Sequence, residues 1–230
     1  VHHMHGTYDA MLVVFSYVVA VVASYTVLDL VERIVASQGL RKWLWLAFGA
    51  VAMGMGIWSM HFVGMLAFSL SEPVAYDLGE VLLSVLVAII GSFAALVMVC
   101  RGQLDGLRLI VGGVLLASGI CAMHYIGMDA MVIGITYNYA YVALSIVIAL
   151  IASIAALWLS LYFRRESSRG EGWLKLGSGL IMGGAIVGMH YTGMLAASFH
   201  MDETHSSSLG MILDQKWLAY LISGGTLYTL

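Results

Sequence analysis

Proline, charge and cysteine are all scarce in this chain. Pro73 is the only proline among 230 residues, so long helical segments run without the residue that removes an internal hydrogen bond. Charged residues make up 10% of the chain, against about a quarter in soluble domains, while 61% are hydrophobic and the mean hydropathy is +0.95. That balance excludes an ordinary water-soluble globule and points to a bilayer as solvent. There is no basic tract or aromatic–basic groove, which excludes nucleic acid as a partner. The two cysteines, Cys100 and Cys121, are too few for a disulfide framework and form no CxxC knuckle. No flavin or nicotinamide fingerprint and no serine–histidine–acid spacing is present.

What is abundant is long apolar sequence. Runs fall at about 10–30, 43–68, 79–99, 107–128, 139–163, 174–197 and 217–230. A helix needs about 20 residues to cross roughly 30 Å of hydrocarbon. Six runs reach that length, and the last is read as a seventh helix cut short. The first run lacks a basic leading region and is too long for a signal peptide, so it reads as a membrane helix. The expected fold is all-α and polytopic, a single domain over 1–230 with seven transmembrane helices.

The net charge of −3 conceals strongly sorted signs. Arg33, Arg41, Lys42, Arg101, Arg108, Arg164, Arg165, Arg169 and Lys175, nine of the ten basic residues, follow runs 1, 3 and 5. The alternate connections carry Glu72, Asp77, Glu80, Asp129, Asp202, Glu203 and Asp214, opposed by Lys216. The positive-inside rule then places the N-terminus outside. Asp29, Glu32 and Arg33 read as a structural charged group at the inner end, and the Arg164–Lys175 connection as a solvated loop.

A six-residue pattern, Met-His-aromatic-x-Gly-Met, occurs three times, starting at Met60, Met123 and Met189. Each copy lies near the end of an even-numbered run, and the histidines are 63 and 66 residues apart. The repeat extends further: Tyr8-Asp9, Tyr76-Asp77 and Asn138-Tyr139 precede the odd runs. Serines recur inside those runs as Ser16 and Ser24, Ser84 and Ser92, Ser145 and Ser153. These matches predict three parallel two-helix repeats, about 8–69, 76–131 and 138–197, plus the incomplete helix 217–230, arranged about an axis along the membrane normal. Helices 2, 4 and 6 would then meet on the outer side, with Gly54, Gly56, Gly119, Gly183, Gly184 and Gly188 permitting close approach.

In each motif the second methionine follows the histidine by four residues and shares its helical face. This makes His61, His124, His190, Met65, Met128 and Met194 the candidate metal ligands. Imidazole with thioether favours copper, especially Cu(I), over magnesium, calcium or zinc. Further candidates are His5 at the same mouth, Asp129 as acceptor of a ligand histidine's second N–H, and the phenols of Tyr125 and Tyr191. His200 and His205 lie in the following loop, and His2 and His3 carry less weight than His5. The aromatic residues Phe62, Tyr125 and Tyr191 also fit interface anchors, and Cys121 fits a small core residue. A histidine proton switch, a metal transporter or channel, and a membrane copper redox enzyme are the competing readings. Transport would need polar groups along the whole path, whereas the candidate ligands collect at one side.

These motifs, the Tyr-Asp starts and the basic inner connections resemble the bacterial MHYT-domain family over essentially the whole chain. Met189-His190-Tyr191-Thr192 carries the full signature, Met123-His124-Tyr125 most of it, and Met60-His61-Phe62 replaces the tyrosine. The resemblance implies an integral sensory domain of the bacterial inner membrane, not itself an enzyme, joined to a cytoplasmic output of the cyclic-di-GMP type. It also implies copper held by His61, His124 and His190 with Met65, Met128 and Met194, and sensing of O2, CO or NO, of redox state or of copper. Membrane lipids, the output domain and a second copy of the chain are the expected partners.

Overall fold

A computed structural model describes residues 4–103, 105–165, 171–201 and 211–229. His2, His3, Arg169, Asp202, Glu203 and His205 lie outside the described residues. Six long helices dominate: α1 (Ala10–Ala36), α2 (Gly39–Ala67), α3 (Leu78–Cys100), α4 (Gly106–Asp129), α5 (Tyr139–Arg165) and α6 (Glu171–Ala196). A shorter α7 covers Gln215–Thr229. The six are 23 to 29 residues long and apolar enough to cross a membrane. The seventh run, expected to be a helix cut short, is the 15-residue α7, which rises about 22 Å over its described residues. It packs along α2, where Thr226 donates to Ser59 Oγ at 2.7 Å.

The helix starts follow from side-chain chemistry. Asp9 accepts from the Met11 and Leu12 amides, Asp77 from Gly79 and Glu80, Asn138 from Ala140, and Asp214 from Trp217. Each satisfies a donor that a helix N-terminus leaves unpaired. At the other end, α1 and α2 are joined through Ser37 and Gln38, and Gly39 at φ +58° makes that reversal, a conformation costly for other residues. Exposed leucines, valines and isoleucines such as Leu82, Leu86, Ile90 and Ile151 face outward, as lipid contact requires. Serines point inward and donate to carbonyls three or four residues back, among them Ser24, Ser84 and Ser92.

Each helix packs on its neighbours in sequence, and α1 closes on α6, so the six form a ring. Six short strands, unexpected from the apolar pattern, cap the end that carries the motifs: β1 (Thr7–Tyr8), β2 (Phe68–Ser69), β3 (Tyr76–Asp77), β4 (Gly134–Tyr137), β5 (Ala197–His200) and β6 (Ile212–Leu213). They pair antiparallel as β1–β2, β3–β6 and β4–β5. Just beyond them, the amides of Asp9, Asp77 and Asn138 donate to the carbonyls of Ala67, Ala130 and Ala196 at 2.7–2.8 Å. Those alanines stand six residues after the three motif histidines.

The glycine expectation needs correction. A Cβ on Gly54 would meet Ile89 of α3, on Gly56 Ala23 of α1, on Gly119 Gly91 of α3, and on Gly183 Val21 of α1. These glycines admit odd-numbered helices, not other even ones. Gly184 has only Tyr17 nearby and Gly188 meets nothing. At the basic end, Lys175 is not in a solvated loop. It is the fifth residue of α6, is 7% exposed, and pairs with Glu32 of α1 at 2.6 Å and with Asp29 at 3.8 Å. A buried ammonium is tolerated because two carboxylates face it.

Candidate metal centre

His61 on α2, His124 on α4 and His190 on α6 are each 0% exposed, and their ligand atoms all lie within 4.8 Å of one another. His61 Nδ1 stands 3.1 Å from His124 Nδ1 and 3.1 Å from His190 Nδ1. The rings meet edge-on, with centroids 4.8, 5.0 and 5.4 Å apart. A ring nitrogen presents either a proton or a lone pair, so His61 Nδ1 cannot donate to one neighbour and accept from the other. The three Nε2 atoms have no hydrogen-bond partner. Two nitrogens bound to one ion at 2.0–2.1 Å and tetrahedral or trigonal angles stand about 3.3–3.6 Å apart. The two spacings from His61 are within a few tenths of an ångström of that, and the three ligand atoms all lie within 4.8 Å of one another, so the triad suits a small metal ion.

The motif glycines make the convergence possible. A Cβ on Gly127 would stand 2.6 Å from His61 Nε2. One on Gly193 would collide with the His124 ring, and one on Gly64 with the His190 ring. Each histidine thus rests on the glycine of a different motif, in the cyclic order His61–Gly127, His124–Gly193, His190–Gly64. Even-numbered helices approach one another here because a ring occupies the space that a side chain would fill.

The residues next to the histidines brace the helices outward. Tyr191 is 3.0 Å from Ser16 Oγ and Tyr125 is 2.7 Å from Ser145 Oγ. Both serine protons go to backbone carbonyls, those of Val13 and Val142, so the phenols donate. Phe62 has no hydroxyl, and Ser84 keeps its bond to the Val81 carbonyl. The same three aromatics pack on a second tyrosine layer: Phe62 on Tyr76, Tyr125 on Tyr137 and Tyr191 on Tyr8, with centroids 6.3, 5.5 and 5.5 Å apart. Tyr137, not Tyr139, is therefore the counterpart of Tyr8 and Tyr76. It precedes its cap residue as they do, while Tyr139 is 83% exposed. Burial, with Tyr191 adjacent, pushes the Tyr8 phenol up to about 12. Burial raises Tyr76 and Tyr137 as well, the latter reinforced by Asp129 and Tyr125.

Met65, Met128 and Met194 are buried in the apolar core around the motif ends of α2, α4 and α6. His5 is exposed and lines a cleft with Tyr8, Phe68 and Met194, apart from the triad. Asp129 is exposed at the end of α4, and because the histidine Nε2 atoms have no partner, the expected carboxylate–histidine bond is not formed. The hydroxyls of Tyr125 and Tyr191 are engaged by serines. Among the histidine, cysteine, aspartate and glutamate side chains of the described residues, the cluster suited to a metal is His61, His124 and His190.

A multi-pass helical membrane protein with a buried tri-histidine cluster is the class that fold and site define. The chain belongs to the MHYT family, the bacterial signalling protein N-terminal repeat, whose model matches residues 54–112, 118–172 and 183–228. Each matched segment starts on an even-numbered helix and ends in or beyond the following odd-numbered one. The chain is 50% identical over 220 residues to the bifunctional diguanylate cyclase/cyclic di-GMP phosphodiesterase MucR of Pseudomonas aeruginosa, covering 94% of this chain and 32% of that protein. It is 40% identical over 202 residues to the signaling protein YkoW of Bacillus subtilis, covering 86% of this chain and 25% of that protein. It is also 40% identical over 193 residues to the cyclic di-GMP phosphodiesterase NbdA of P. aeruginosa, covering 83% and 24%. The chain thus spans a third or less of these relatives' length. No solved structure matches it.

Proposed function

We propose that this chain is the copper-binding sensory membrane domain of a signalling protein whose output acts in cyclic-di-GMP turnover. The observation that supports the reading is the buried histidine triad, in which His61 Nδ1 stands 3.1 Å from each of the other two Nδ1 atoms and every Nε2 lacks a hydrogen-bond partner. His61, His124 and His190 hold the metal, and Met65, Met128 and Met194, one turn further on the same helices, supply soft donors beside it. Three neutral imidazoles leave an ion's charge uncompensated in a dry site. Since the desolvation cost grows as the square of charge, a monovalent ion costs about a quarter of what a divalent one does. That argument and the thioethers both favour Cu(I). Bound copper supplies redox chemistry and a coordination site for O2, CO or NO.

The helices are arranged as three parallel two-helix units about an axis through the triad. The cyclic histidine–glycine contacts, the tyrosine–serine bonds and the three cap-to-alanine bonds support that arrangement. The sorted basic residues support a topology in a bacterial inner membrane with the end opposite the motifs in the cytoplasm and the triad toward the periplasmic side. A change in the triad's occupancy alters the packing of α2, α4 and α6, which requires different ligand affinity in two conformations. The relatives' names support a cyclic-di-GMP output, and a second copy of the chain is a natural partner for it.

Copper-replete membranes should yield protein with about one copper per chain, seen by elemental analysis and by nitrogen scatterers in X-ray absorption. Substituting His124→Ala should lower copper retention at least tenfold while the protein stays monodisperse. Equal copper content in the folded triple variant H61A/H124A/H190A would overturn the reading. Steady copper flux into proteoliposomes would favour transport instead.

A further inference from the structure

A cavity of about 30 Å³ lies beneath the triad. Its walls repeat the motif's own spacing. Ile57, Ile120 and Ile186 stand four residues before the three histidines, and Met53, Leu116 and Met182 stand eight before. On a helix these positions share the histidine face, about 6 and 12 Å below it. Ala23, Ala152 and Ala156 leave room on the remaining side. The volume exceeds the roughly 10–15 Å³ that one water needs and falls far below the roughly 150 Å³ that accepts benzene. It suits a guest of two heavy atoms.

Polarity decides which guest. Among the lining residues the only polar side chains are Ser24 and Ser153. Ser24 spends its proton on the Ala20 carbonyl at 2.7 Å, as its counterpart Ser92 does on Ala88. Ser153 is buried and its hydroxyl has no partner. A water wants two to four polar partners, and the walls offer two serine oxygens, one with an uncommitted proton, among ten apolar side chains. We propose that this cavity is a docking site for a small apolar diatomic gas, held by the isoleucine and methionine–leucine layers with the Ser153 hydroxyl as a weak donor. The site exists independently of any metal. Its role as a staging point for the triad rests on the copper reading above.

The test uses xenon, a probe of apolar cavities, on crystals of the copper-stripped protein. Xenon anomalous density should appear between the isoleucine and methionine–leucine layers and vanish in A152V, which fills the cavity from α5. A23V fills it from α1 should A152V misfold, and S153A, which removes only the hydroxyl, should keep the xenon. Wild-type crystals with ordered water in the cavity, or xenon only on the lipid-facing surface, would overturn the site, as would undiminished xenon in both filled variants. In copper-loaded protein, saturating xenon should slow CO association at least twofold in wild type and leave the filled variant unaffected. Xenon in the cavity with no effect on CO would remove the staging role. Xenon binding without copper binding would remove the metal reading and leave the cavity standing.

Discussion

Gly127 and Gly188 are both helical glycines, yet they should respond oppositely to one added methyl group. At Gly127 the methyl meets His61 Nε2 at 2.6 Å, and the ring cannot retreat without leaving the triad. Gly127→Ala should destabilise the protein by about 1–3 kcal/mol, the usual range for overpacking, and reduce copper content. At Gly188 nothing lies within 4 Å. Gly188→Ala should be neutral or stabilising by up to about 1 kcal/mol through helix propensity. Unfolding in detergent with parallel metal analysis separates the two, and equal effects would refute the glycine cradle. The sequence already shows a glycine three residues past each motif histidine. It did not say that the approaching group is another motif's histidine, because that requires knowing which helices face each other.

Between elements, the α1–α6 junction closes the ring and is held at two depths. Near the motif end Tyr191 bonds Ser16, and at the basic end Lys175 pairs with Glu32. Tyr191→Phe should cost about 0.5–1.5 kcal/mol, the net value of one such bond. Lys175→Met should cost more than Arg33→Ala, since the Lys175 side chain is 9% exposed and that of Arg33 58%. The exposed i,i+4 pair of Arg33 with Asp29 contributes about 0.5 kcal/mol or less. Thermal unfolding of the three variants checks the order, and an Arg33 effect larger than that of Lys175 would contradict it. Both partners of each contact were visible in the sequence, Ser16 through the serine spacing and Glu32 through the inner charged group. Their pairing was not, because the contacting residues lie more than a hundred positions apart.

For the whole molecule, sorted charge predicts which end faces the cytoplasm. In intact cells Glu72→Cys should react with an impermeant maleimide and Gln103→Cys should not, the reverse holding for inverted membrane vesicles. Both positions are exposed at opposite ends of α3, so accessibility differs only by side. Labelling of Gln103→Cys alone in intact cells would invert the topology.

Sequence alone determined the membrane class, the six long helices and the three histidines that the fold brings together. Apolar length, scarce charge and a motif repeated three times are local properties that need no knowledge of contacts. It misjudged which tyrosine matches Tyr8 and Tyr76, because Tyr137 and Tyr139 flank the same cap residue and only packing tells them apart. Only the tertiary structure decided that the Nδ1 atoms converge, that Asp129 and His5 stand apart, and that a small apolar space lies beneath the triad. These depend on the direction of each side chain within a closed ring of helices, and the ring exists only once α1 has packed against α6.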